Sequence, residues 1–153
     1  MPLDTEPKQQ ADAVLRGILT DMFPGAFEEL EEERYVVHPG PEPVAVLVLG
    51  FGEDDAAVHI VGYLSGGFGP KLELPVDARL MRYLLERNSE IVYGAFAVDE
   101  EDDISFCYTL PWKGLSGDCL RTAVEVVAVM AARFRGDLER EFGGGDGQPD
   151  LGE

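Results

Sequence analysis

The chain is short of positive charge. Its 153 residues hold 30 Asp and Glu against 12 Lys and Arg, a formal net charge of −18. Nucleic-acid binders neutralise phosphates with clustered Lys and Arg. No basic patch appears in this sequence, and its mean field repels polyanions and anionic membrane surfaces alike. Histidine is equally scarce, with only His38 and His59. General-acid, general-base or metal chemistry would normally set one of them beside a nucleophile, a carboxylate or a second ligand. His38 adjoins a Pro-Gly-Pro turn and His59 lies inside a strand, so both read as structural. Cysteine is limited to Cys107 and Cys119, twelve residues apart. No CxxC pair or secreted disulfide framework is present, which points to buried free thiols in a reducing compartment. The longest apolar stretch, residues 126–132, is too short to span a bilayer, and residues 1–10 have no apolar signal core. A cytoplasmic protein is expected, with no nucleic acid or membrane among its partners.

Hydrophobic residues make up 45% of the chain, enough for one core. The length suits one domain. Residues 1–9 are polar and acidic and read as a flexible tail. Residues 143–153 (GGGDGQPDLGE) are rich in glycine and nearly free of apolar side chains, so they cannot offset their ordering entropy. A single domain over residues 10–142 lies between them.

Within that domain, residues 11–23 place Val14, Ile18 and Met22 at helical spacing, widened by Leu15 and Leu19, and Pro24-Gly25 ends the helix. The acidic stretch 27–34 reads as a helix end or a polar connector. Residues 35–38 suggest a short strand, and an edge strand there could accept an extended peptide by strand addition. Residues 44–51 (VAVLVLGF) and 56–64 (AAVHIVGYL) read as buried strands of an antiparallel meander. Residues 76–88 form a second helix, with Leu80, Leu84, Met81 and Leu85 as its stripe, Asp77 in its first turn and Asn88 as a left-handed cap. Residues 91–98 read as a strand. Residues 104–110 alternate with a period of two. Ser116 caps a long last helix on which Leu120, Val124, Val127, Ala131, Phe134 and Leu138 recur at spacings of four and three. Val126, Val129 and Met130 give that helix a second apolar flank, which needs another helix or another subunit against it. The order α-βββ-α-ββ-α indicates an α+β fold, helices covering an antiparallel sheet.

Residues 84–88 (LLERN), Gly94-Ala95-Phe96, Leu110-Pro111, Gly114-Leu115 and Ala131-Ala132 together resemble the YbjN family and its relatives among type III secretion chaperone-like (TY-chap) domains, which share this order of elements. The resemblance spans residues 11–142, with its specific part in 84–132. It implies a non-catalytic chaperone-like or regulatory domain that binds peptides or proteins and is often dimeric. Where relatives carry Ala-Asp in the long helix, this chain has Ala132-Arg133, so no role of that acid carries over.

No catalytic residue, cofactor or metal site is expected. The glycine-rich loop Gly62–Gly69 matches neither GxGxxG nor GxxxxGK[ST], and it reads as a crossover loop. A small-ligand or enzymatic pocket beside it is the alternative to a binding module. A Cys107–His59 pair across the sheet has no local signature. The acidic turn at residues 99–103 lacks an EF-hand pattern and reads as a solvated hairpin turn. Candidate partner-binding residues are Phe68 and Trp112, large aromatics in loops, with Val126, Met130 and Arg133 on the second flank of the last helix. The expected partner is a protein or peptide client, basic in character because of the acidic rim, or a second copy in a homodimer. A scaffold whose only activity is self-association is the third reading.

Overall fold

The computed structural model describes residues 5–31, 33–51, 55–65 and 74–143. Three helices and six strands follow one another as α1 (Thr5–Met22), β1 (Phe27–Glu31), β2 (Arg34–Val37), β3 (Val44–Phe51), β4 (Asp55–Tyr63), α2 (Ala78–Asn88), β5 (Ala95–Val98), β6 (Ile104–Pro111) and α3 (Gly117–Phe142). The fold is α+β, with one strand more before α2 than the sequence suggests. The strands form a single sheet in the order β1-β2-β3-β4-β6-β5, antiparallel throughout.

The extra strand is the acidic stretch that reads in sequence as a helix end or a polar connector. Phe27 pairs with Val37 and Glu29 with Tyr35. Its helix-side residues are held by α1, where the Arg16 guanidinium donates to both Glu29 carboxylate oxygens at 3.0 and 3.1 Å. That hydrogen bond lowers the pKa of the Glu29 carboxyl. β2 is therefore an interior strand, not the expected edge, and the edges are β1 and β5.

One sheet face carries the core. Tyr35, Val37, Val44, Val46, Val58, Ile60, Ile104 and Phe106 are buried there under α1, through Ala11, Leu15 and Leu19, and under α3, through the stripe read from its periodicity. Val14 is exposed and falls outside that core, while Ile18 and Met22 pack at its margin. Tyr35 donates to Asp12 of α1 at 2.6 Å. Burial raises the pKa of this phenol, and the carboxylate acceptor adds to the shift. α3 comes close because β4 offers Gly62, where an added Cβ would lie 2.8 Å from the Ala131 Cβ. Gly62 thus serves helix-on-sheet packing. The remaining glycines of the Gly62–Gly69 loop, with Phe68, lie outside the described residues.

α1 begins at Thr5, so residues 5–9 belong to the helix and not to the expected tail. Asp77 is the N-cap of α2, accepting from the Leu80 N–H at 3.0 Å, and is not in its first turn. Only half of the expected α2 stripe is buried. Leu80 and Leu84 face the core, while Met81 and Leu85 face outward, Leu85 with 69% of its surface exposed.

Asn88 is not a left-handed cap, since α2 runs through it to a cap at Ser89. Its side-chain amide bonds to edge strand β5 instead. The Phe96 N–H donates to Asn88 Oδ1 at 2.8 Å, and Asn88 Nδ2 donates back to the Phe96 carbonyl at 3.5 Å. The amide occupies the place a further strand would take and blunts the edge against added chains. Asn88→Ala should cost about 1–3 kcal/mol by leaving these groups unpaired. Urea denaturation would show this as a lower midpoint at unchanged slope.

Candidate functional site

Three of the five candidate residues, Val126, Met130 and Arg133, lie together on α3. Its outer flank, the 89–94 loop and the end of α2 enclose a groove of about 490 Å³, lined by Val126, Met130 and Arg133 together with Tyr83, Arg87, Ile91, Val92 and Tyr93. Residues 91–94 were expected to begin a strand, but β5 starts only at Ala95. The chain is turned out of the sheet by Gly94, whose φ of +86° is a left-handed conformation that glycine adopts without strain. An added Cβ there would meet the Phe106 ring and the Cys107 carbonyl. The consequence is an apolar wall raised into solvent. Val92 is 85% exposed and Tyr93 56% exposed. The Tyr93 ring stacks on Tyr108 with centroids 5.7 Å apart, which holds it upright.

Charges in this groove are mostly compensated. Arg87 lies over the Tyr83 ring, 5.2 Å from its centroid, and pairs with Glu90 at 3.4 Å. Asp137 is engaged by Arg140. Arg133 is exposed and has no acidic partner within ion-pair distance among the described residues, whereas every other described arginine has one.

A second, more apolar groove of about 350 Å³ lies on the other side of the same helix. Ala128, Val129 and Ala132 form its floor, the turn at residues 39–42 its wall, and Glu42 and Glu125 its charged rim. The turn is clamped to α3 by Arg135, which pairs with Glu42 at 2.7 Å and donates to the Tyr63 carbonyl at 2.6 Å. Val129, which lines this second groove and not the first, is 64% exposed.

Trp112 lines neither groove. It is half-buried and packs against the core, with its indole N–H enclosed and, among the described residues, without an acceptor. The α2–β5 wall is not legible in the sequence, where residues 91–98 read as one strand. The signal available was Gly94 following two apolar residues, a break in an apparent strand.

The residues capable of chemistry lie away from the grooves. The thiols are not both buried as expected, since Cys119 is exposed in the first turn of α3 and Cys107 is partly buried. His59 and Cys107 lie on the sheet face opposite the helices, in adjacent strands, with His59 registered against Thr109 and Cys107 against Val61. His59 Nδ1 and the Thr109 hydroxyl share a hydrogen bond of 2.9 Å. Burial lowers the pKa of the imidazole, which favours its neutral form. Cys107 Sγ is 3.2 Å from the Ser105 hydroxyl. Burial raises the pKa of the thiol and outweighs that contact, so the nucleophilic thiolate is disfavoured. His38 is exposed and lies 3.6 Å from a Glu28 oxygen. At the acidic turn, Asp99 Oδ1 accepts from the N–H groups of Glu101 and Asp103 at 2.8 and 3.0 Å, so this carboxylate shapes the hairpin. Among the described residues, no three His, Cys, Asp or Glu side chains converge to hold a metal ion, and no helix is long and apolar enough to cross a membrane.

No curated protein matches the chain. Residues 12–140 match the family YbjN, whose description reads "Putative bacterial sensory transduction regulator". With that match covering most of its length, the chain belongs to the YbjN family.

Proposed function

We propose that this YbjN domain is a cytoplasmic, non-catalytic regulatory module that holds a segment of a partner protein on the outer side of α3 and works as a homodimer. The observation that carries the reading is the groove itself. Half-buried Val126 and Met130 and exposed Arg133 line one side of it and the exposed Val92 and Tyr93 the other, and apolar surface gathered around a concavity is what a partner segment can bury. Apolar contacts supply the affinity. The −18 charge of the chain speeds encounter with basic segments and disfavours acidic ones. The engaged imidazole and the burial-raised thiol support binding over catalysis.

Panning a random peptide library against the protein tests the proposal. Enriched peptides should combine apolar and basic residues. They should lose about tenfold or more in affinity toward the Val92→Asp/Tyr93→Ser double variant, whose thermal midpoint should stay near that of the unaltered protein because Val92 and Tyr93 are mainly exposed. A library that enriches nothing, or peptides that bind both proteins equally, would refute the groove as the binding site.

A further inference from the structure

The exposed ridge of α3 carries an ordered charge pattern. Arg121, Glu125, Val129, Arg133 and Asp137 follow at intervals of four, along the i±4 row that forms one ridge of a helix. Read in either direction from Val129, the signs invert: Glu125 is matched by Arg133, and Arg121 by Asp137. Such a row is complementary to itself when run antiparallel. The middle residue, Val129, is apolar and 64% exposed, and the neighbouring Ala128 and Ala132 are small enough for a second helix to approach closely.

We infer that the surface by which this protein self-associates is the α3 ridge centred on Val129, with a second copy of the chain as its occupant. A two-fold axis through Val129 sets the two helices antiparallel. Glu125 then faces the partner's Arg133 about 6 Å from the axis, at a rise of roughly 1.5 Å per residue, while Arg121 and Asp137, turned further round the helix, lie at the margins of the contact. Val129 meets its own symmetry mate. Within one chain Glu125 already lies 3.7 Å from Arg121, and Asp137 is engaged by Arg140. Among the described residues Arg133 is the ridge charge without an acidic partner in its own chain, and the symmetric arrangement supplies one. The inference rests on the homodimer proposed above and adds its location and symmetry.

Charge reversal tests it in the full chain. Sedimentation equilibrium should find the unaltered protein dimeric. Glu125→Arg alone and Arg133→Glu alone each place like charges across the axis, and each should weaken association about tenfold or more. The double variant E125R/R133E restores opposite charges only if both residues face each other across a two-fold, and it should return to within about threefold of the original affinity. Both side chains are exposed, so circular dichroism should be unchanged in all three variants. The Val92→Asp/Tyr93→Ser variant should remain dimeric. An unaltered protein that stays monomeric at its highest soluble concentration would overturn both the homodimer and this seam. A dimer indifferent to the single reversals, weakened by them but not rescued by the double, or lost on altering Val92 and Tyr93, would overturn the seam alone. Arg133 borders both the seam and the groove, so peptide binding is tested separately through Val92 and Tyr93, which line the groove and lie off the ridge.

Discussion

Phe106→Ala should lower the unfolding free energy by about 3–5 kcal/mol, the range for deleting a fully buried aromatic ring. Phe106 is completely buried on β6, and its ring meets those of Phe96 and Phe134 at centroid distances of 5.7 and 5.6 Å, while Phe96 and Phe134 are 4.7 Å apart. These three rings join edge strand β5, inner strand β6 and helix α3. Phe106 also fills the space that an added Cβ at Gly94 would need, so it backs the backbone turn that raises Val92 and Tyr93. The substitution should therefore act twice. It opens a cavity under α3, and it loosens the groove wall, so peptide affinity should fall even where the domain remains folded. Urea denaturation and peptide titration at a temperature below the variant's transition separate the two effects. A loss below about 1 kcal/mol would show that the three rings do not form one packed unit.

Gly62→Val should be about as severe, near 3 kcal/mol, by the opposite route. A Cβ at this position would lie 2.8 Å from the Ala131 Cβ and 3.0 Å from a Val127 methyl, and both neighbours belong to the buried stripe of α3. α3 would have to lift from the sheet, displacing the stripe from Leu120 to Leu138. At roughly 2–4 °C per kcal/mol for a chain of this size, the melting temperature should drop by about 6–12 °C. The double variant Gly62→Ala/Ala131→Gly moves one methyl from the helix to the strand and should recover part of what Gly62→Ala loses. Equal melting temperatures for Gly62→Ala and the unaltered protein would mean that the close approach is not what fixes the glycine. A ligand-cradling role would then regain interest.

How far these features can be read from the sequence depends on how many neighbours set each residue's environment. The α3 stripe is legible because a long helix buried on one side repeats its apolar residues at the helical period, and all of the residues so picked are buried. β3 and β4 are legible because interior strands are apolar on both faces. β1 is not, because an edge strand tolerates acids. Glu28 and Glu31 are exposed, and Glu29 is satisfied by Arg16, thirteen residues away, a pairing no local window contains. The 89–94 loop resembles a strand through Ile91, Val92 and Tyr93. Only the Asn88 side chain bonded to Phe96 and the positive φ at Gly94 reveal that the chain leaves the sheet.

The same difference applies to the site. The surplus apolar flank of α3 identifies Val126 and Met130, but it does not say what stands opposite them. The opposite wall comes from a loop whose sequence mimics a strand. The outward-facing Met81 and Leu85 show the limit of periodicity, since α2 has a second apolar stripe that the core does not cover.

The central claim is that partner recognition occurs on the outer side of α3. The direct test is an amide chemical-shift map of isotope-labelled protein titrated with a peptide enriched by panning. The account predicts the largest shifts at Val92, Tyr93, Val126, Met130 and Arg133. Shifts confined to Leu47, His59 and Thr109 on the opposite sheet face, with the α3 residues unmoved, would contradict it.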